Sequence, residues 1–181
     1  MKLIVGLGNS EPEYSWSRHN VGKEVLNLFA ESLDLKWETK KKHNTQIVKH
    51  EDYILAKPLV FMNESGNVVG ELVRYYDVTL ENLLIAYDEL DILVGEYKLS
   101  NQKSSKIHNG IISIKNILKD ENFWHLRVGV RDESIFGSVQ KTGIDPAKYV
   151  LSKFSKTDKK KIVNEAQDFI LTDLKEWLSK K

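Results

Sequence analysis

The chain has no cysteine. Disulfides, thiolate metal ligands and thiol catalysis are excluded together, and the composition suits a reducing, cytoplasmic setting. Long apolar runs are also missing: none approaches the roughly 18 residues of a membrane span. The LIVGL run near the N-terminus is strand-sized and lacks the small-residue end of a secretory signal. Proline occurs only three times, and no Pro/Gly-rich tract divides the chain into two parts. Neither sign of charge dominates, the net being +1 over 181 residues. A globally basic coat for nucleic acid is thereby excluded, but a local basic face is not. Lysines do cluster around 36–43, 100–106 and 155–161. Each cluster taken alone reads as solvated surface.

What is present alternates between two hydrophobic periods. KLIVGL (2–7) is a β-rich run bounded by glycine and reads as a buried strand. From Asn20, a candidate N-cap, the apolar residues Val21, Val25, Leu28, Phe29 and Leu33 recur at helical spacing. TQIVKH and YILAKP predict a hairpin. Val69, Leu72, Val73 and Tyr76 predict a helix starting near Ser65. LLIAYDELD and VGEYKLS read as strands, HNGIISIKNILK as a helix and FWHLRVGV as a strand. Asp145-Pro146 predicts a capped helix start. Ile162, Ala166, Phe169, Ile170, Leu174, Trp177 and Leu178 form one stripe on a last helix, with Lys159, Lys160 and Lys161 at its start, where cations oppose the helix dipole. Strands separated by helices predict a single α/β domain over 1–181, a mixed twisted sheet flanked by helices on both faces. The least regular stretch, 132–147, is expected to be a mobile surface segment.

The glycine turn that ends the first strand begins like a dinucleotide fingerprint, with Gly6 and Gly8. The third glycine is absent. Glu11 stands there and would set a negative charge where a phosphate should lie. No Walker A lysine is present either. The loop runs instead to His19-Asn20 at the mouth of a helix. A histidine can accept a proton near neutral pH. Similar polar residues come after other hydrophobic runs: Asp88 and Asp91 after LLIAY, Asn63 after KPLVFM, and His108-Asn109-Gly110 before the third helix. Asp, Asn and Gly are ordinary turn and cap residues. The alternative is a shared cleft in which one base, one carboxylate and three amides meet. Histidines 19, 43, 50, 108 and 125 show no metal-ligand spacing, and no G-x-S-x-G elbow is present.

The ordered set GLGN…Y…RHN, KP…MN.SG, DELD…G…L…HNG…S and LRVGV…YVLSKF, from Leu3 to Phe154, closely resembles the bacterial-type peptidyl-tRNA hydrolases. The resemblance implies a monomeric α/β carboxylic ester hydrolase; no cofactor is expected, and the histidine spacing and the lack of a long apolar run give the expectation of no metal and no membrane partner. It would cleave the ester between a peptide, or an N-blocked amino acid, and the 3′ ribose of tRNA, recycling peptidyl-tRNA released from ribosomes. On the family's pattern the catalytic His falls on His19 and its orienting carboxylate on Asp88. The substrate channel falls on Asn9, Asn63 and Asn109, lined by Met62 and Tyr14. A basic pair for tRNA phosphate falls on Lys98 and Arg127.

Two departures are local. The family's glycine-rich loop before His-Asn-Gly is replaced by QKSSKI, and the expectation is that Lys103 and Lys106 meet tRNA phosphates in its stead. Arg131-Asp132-Glu133 stands where the family has Gly-Arg-Pro, ahead of a segment that forms a flexible lid in the family. The competing reading is a catalytically inactive RNA-binding protein on the same scaffold.

Overall fold

A computed structural model describes residues 1–10, 12–101, 107–135, 137, 139 and 142–180. The alternation of periods becomes one seven-stranded sheet. Its strands are β1 (Lys2–Gly6), β2 (Glu38–Lys40), β3 (Thr45–Lys49), β4 (Tyr53–Pro58), β5 (Leu83–Leu93), β6 (Tyr97–Ser100) and β7 (Trp124–Arg131). The order is β2-β3-β4-β1-β5-β7-β6. The central four, β4-β1-β5-β7, run parallel, while β2, β3 and β6 close the edges antiparallel. β1 is buried throughout except at Lys2, as expected of a strand covered on both sides.

The helices are α1 (Val21–Ser32), α2 (Ser65–Tyr75), α3 (Asn109–Leu118), α4 (Pro146–Leu151), α5 (Lys156–Lys161) and α6 (Gln167–Ser179). Alternate residues of β1 and β5 point to opposite faces, so two cores form. Ile4, Leu84 and Ala86 meet α1 and α6 residues such as Val25, Phe29, Ile170 and Leu174. Leu3, Val5, Ile85 and Tyr87 meet α2 and α3 residues such as Val69, Leu72, Ile111 and Ile114.

The sheet's centre and the first helix approach at backbone distance. Leu7 N–H donates to the Ala86 carbonyl, and Lys23 N–H donates to the Leu7 carbonyl. Gly22 makes this possible: a Cβ there would lie 2.1 Å from the Ala86 oxygen and 2.9 Å from the Leu7 nitrogen. The close helix–strand packing that a glycine at position 11 would serve in a dinucleotide fold is supplied here from the helix side.

Three local expectations are corrected. Asn20 occupies the N-cap position of α1 but makes no cap bond. Its amide spans back to the first loop instead, accepting from Asn9 N–H at 2.9 Å and donating to the Asn9 carbonyl at 3.0 Å. The last helix is not continuous. α5 opens with a Ser155/Asp158 capping box, a π-turn comes next over Ile162–Ala166, and α6 begins only then. One extra residue in that turn rotates α6 about its axis, so Phe169 leaves the stripe and is exposed, whereas Ile162, Ile170, Leu174 and Trp177 stay buried. Lys159, Lys160 and Lys161 accordingly lie in the last turn of α5, not at a helix start.

Candidate active site

Parallel β4, β1 and β5 deliver their carboxyl-terminal loops to one side of the sheet, where α/β folds place their ligands. After β1 comes Asn9. After β4 comes a single 3-10 turn, Met62–Glu64, carrying Met62 and Asn63. A second such turn, Arg18–Asn20, leads into α1 and carries His19. Asp88 differs from the sequence expectation in one respect. Expected at the end of its strand, it lies well inside the longer β5, paired with Val128 of β7 just before the ladder becomes irregular between Glu89 and Leu93.

His19 and Asp88 meet. His19 Nδ1 lies 2.8 Å from Asp88 Oδ1, and both side chains are buried. A second imidazole, which in the sequence reads as a turn residue, reaches the same oxygen: His108 Nε2 is 2.8 Å from Asp88 Oδ1. Its tautomer is set by its other nitrogen. As the N-cap of α3, His108 Nδ1 accepts the Ile111 backbone N–H at 3.3 Å, so Nε2 carries the proton and donates to Asp88. By the same accounting His19 Nδ1–H donates to Asp88, which leaves its Nε2 as the basic nitrogen.

This geometry sets the charges. Burial alone would favour the neutral acid at Asp88. The charges and hydrogen bonds of His19 and His108 outweigh it and hold the carboxyl well below the usual range. Burial likewise disfavours a charged His19 ring, but the Asp88 carboxylate outweighs it and raises the pKa above 6.5. Burial pushes the neighbouring Glu89 carboxyl up. His19, Asp88 and His108 are also side chains of the metal-ligating kind, their ligand atoms lying within 4.8 Å of one another. The 2.8 Å separations, however, are those of N–H donation to a carboxylate.

Two cavities open from His19. One, of about 450 Å³, is lined by Asn9, Tyr14, Met62, Asn63 and Asn109. All five channel residues expected from the sequence therefore share one wall system with His19. Asn9 is buried, and its Oδ1 accepts the Met62 N–H at 2.9 Å, so its NH2 group is the end that remains to donate. The other cavity, of about 410 Å³, runs past Asp88, Glu89, His108 and Asn109 to Asp145–Ala147.

The expected basic pair is adjacent. Lys98 and Arg127 are directly opposed across β6 and β7. Lys98 is exposed, while Arg127 is half-buried with Nη1 3.7 Å from Glu89 Oε2. Lys103 and Lys106 lie outside the described residues. Of the segment 132–147, Ile135 and Val139 are buried in the core, and Arg131 Nη1 donates to the Ile135 carbonyl at 2.8 Å; residues 136, 138, 140 and 141 lie outside the described ones.

Arg18, part of the RHN triplet but without a role assignable from sequence, anchors the turn that carries His19. Its guanidinium donates to the Val130 carbonyl, Ser152 Oγ and the Lys153 carbonyl, and stacks on Tyr149 at 4.5 Å. Asp158 is 3.6 Å away.

A histidine paired with a buried carboxylate, at the mouth of an amide-lined cleft on an open α/β sheet, is an arrangement suited to hydrolysis by activated water without a side-chain nucleophile. Similarity to known proteins narrows the class. The family model described as peptidyl-tRNA hydrolase matches residues 3–181, and the chain belongs to that family. Peptidyl-tRNA hydrolase of Metamycoplasma arthritidis is 40% identical over 158 residues, 87% of this chain and 81% of the relative. That of Limosilactobacillus reuteri is 37% identical over 183 residues, covering 99% and 94%. The crystal structure of peptidyl-tRNA hydrolase from Acinetobacter baumannii superposes with a TM-score of 0.85 at 28% identity, covering 98% of this chain and 88% of that one. No helix among the described residues is long and apolar enough to cross a membrane.

Proposed function

We propose that the chain hydrolyses the ester joining a peptide, or an N-blocked amino acid, to the 3′ ribose of tRNA, with His19 as the general base. The observation that carries this reading is the 2.8 Å contact between His19 Nδ1 and Asp88 within a cleft lined by Asn9, Asn63 and Asn109. Nε2 of His19 takes a proton from water, and the resulting hydroxide attacks the ester carbonyl. Charge on the ring as it protonates is balanced by Asp88, whose second donor, His108, fixes the carboxylate in place. Asparagine N–H groups at the cleft wall donate to the developing oxyanion and hold the peptide backbone. The bond to the 3′ oxygen breaks, the proton passes to that oxygen, and a peptide carboxylate and free tRNA leave. The chain acts as a monomer.

The test is release of peptide from purified peptidyl-tRNA, measured against pH. The base works only when neutral, and its pKa is raised above 6.5. Thus kcat/KM should climb with pH through an inflection above 6.5, while Asp88, its pKa lowered, stays ionised throughout. Stability carries the opposite sign. A raised histidine pKa contributes stability that is complete below about 6.5 and is lost as pH rises through the folded-state value. A flat profile between pH 6 and 8 would contradict the base assignment.

Lys98 and Arg127 contact phosphate of the bound tRNA near its acceptor end. The Glu89 partner of Arg127 already occupies part of that guanidinium, so Lys98 is the freer cation. Lys98→Ala should lower the slope of log K against log salt by about 0.9 for one phosphate contact, by analogy with duplex DNA. An unchanged slope removes Lys98 from the interface.

A further inference from the structure

The catalytic cleft does not end at Asn9. The two chain segments that line it, the loop after β1 and the loop after β4, continue as the walls of a further cavity of about 280 Å³, reached past Asn9, Ser10 and Leu59. Two lysines look into it, Lys23 from the first turn of α1 and Lys57 from β4, and both are buried. Lys23 Nζ donates to the Asn9 carbonyl at 3.1 Å. Lys57 Nζ donates to Asn27 Oδ1 at 2.5 Å and lies 3.8 Å from the centre of the Trp37 ring.

Among the described residues neither ammonium has a carboxylate within 4 Å. The cavity's one acid among those residues, Glu24, is taken up elsewhere. Its two oxygens accept from Trp16 N–H and from Asn27 Nδ2. Among the described residues these two buried cations have neutral hydrogen-bond partners, an open space before them and no contacting counter-charge of the kind burial ordinarily demands, Glu24 acting on them only from beyond contact.

We propose that this cavity is a side-chain subsite for the peptide, selecting a carboxylate of Asp or Glu a few residues upstream of the ester. The inference rests on the Asn9–Met62 cleft holding the peptide. Glu89 lines the other cavity, and Arg127, 3.7 Å from it, and Lys98, opposed to Arg127 in the sheet, lie on that side, so the tRNA is assigned to that end and the peptide to this one. The ligand's charge would lie between Nζ of Lys23 and of Lys57. Burial lowers both lysines to about 8, the second lysine adding to the effect at Lys23 and Glu24 partly offsetting it at both. The subsite is therefore cationic at neutral pH and fades above it.

The experiment uses N-acetylated tripeptidyl-tRNAs carrying Glu or Gln at each peptide position in turn. At one position Glu should be preferred in kcat/KM by about tenfold, the worth of one charge-assisted hydrogen bond. That preference should collapse in Lys23→Gln/Lys57→Gln, and in wild type it should shrink as pH passes 8. If the double variant fails to fold, the wild-type ratio and its pH dependence still decide. Equal rates for Glu and Gln at all three positions, or a preference surviving in the variant, overturn the proposal. Asn63→Ala separates the two readings. If it raises KM for every peptide while the Glu/Gln ratio is one, only the subsite is lost. If KM does not move, the cleft assignment fails and the subsite falls with it.

Discussion

His19→Ala should lower kcat for peptidyl-tRNA hydrolysis by about 10²- to 10⁴-fold, the usual contribution of a positioned general base. Binding of deacylated tRNA and the far-UV spectrum should be unchanged. The fold should tolerate the loss because Asp88 keeps its second donor: His108 remains at 2.8 Å, so the buried carboxylate is not stranded. The measurement is single-turnover release of labelled peptide, with wild type and variant side by side. Turnover within a few-fold of wild type would show that water is activated elsewhere. The same comparison excludes the alternative of a pure RNA-binding scaffold, which predicts no difference because neither protein would release peptide.

Gly22→Ala should damage the fold severely. The added methyl carbon would sit 2.1 Å from the Ala86 carbonyl oxygen and 2.9 Å from the Leu7 nitrogen. Both obstacles are backbone at the centre of the sheet, so no side chain can rotate out of the way. α1 must shift away from β1 and β5, breaking the Lys23 N–H to Leu7 bond that anchors its first turn. Overpacking of this kind costs about 3 kcal/mol, which for a chain of this size is a fall of about 6–12 °C in Tm. Activity should fall as well, because Gly22 lies three residues from His19 and Ala86 two from Asp88. By contrast Ile170→Val, a trimmed methyl in the α6 core, should cost about 1 kcal/mol and leave the pH profile untouched. A Gly22→Ala protein with wild-type Tm would mean that the helix–strand approach is looser than these distances imply.

Much of the fold is legible in the sequence. Strands and helices form where period-2 and period-3.6 patterns run uninterrupted. Asn9, His19 and Asn63 follow the exits of parallel β1 and β4 and Asp88 lies within β5, while Asn109 is brought in by the start of α3. The features that escape share a cause. His108 looks like a turn residue because its partner, Asp88, lies 20 positions away on another element. Arg18 reaches an acceptor 112 positions on. Lys23 sits in a helix pattern with nothing local to mark it. Periodicity reports which face is buried, not which polar group a buried side chain will find. The π-turn is invisible for a related reason: a one-residue slip changes which apolar side chains face inward without changing how many there are, and Phe169 is displaced from the stripe accordingly. β2 is three exposed residues, Glu38–Lys40, with no hydrophobic signature at all.

The attachment of Arg18 has a consequence for synthesis. The guanidinium that steadies the histidine's turn is gripped by Val130, Ser152 and Lys153, encoded more than a hundred codons downstream. While this polypeptide is being made it is itself a peptidyl-tRNA. A truncated or still-growing chain short of those positions holds His19 and Asp88 but lacks the contacts that seat the histidine's turn. Seating of the His19 turn therefore waits on β7 and the residues after α4, and contacts local to the first loop cannot complete it.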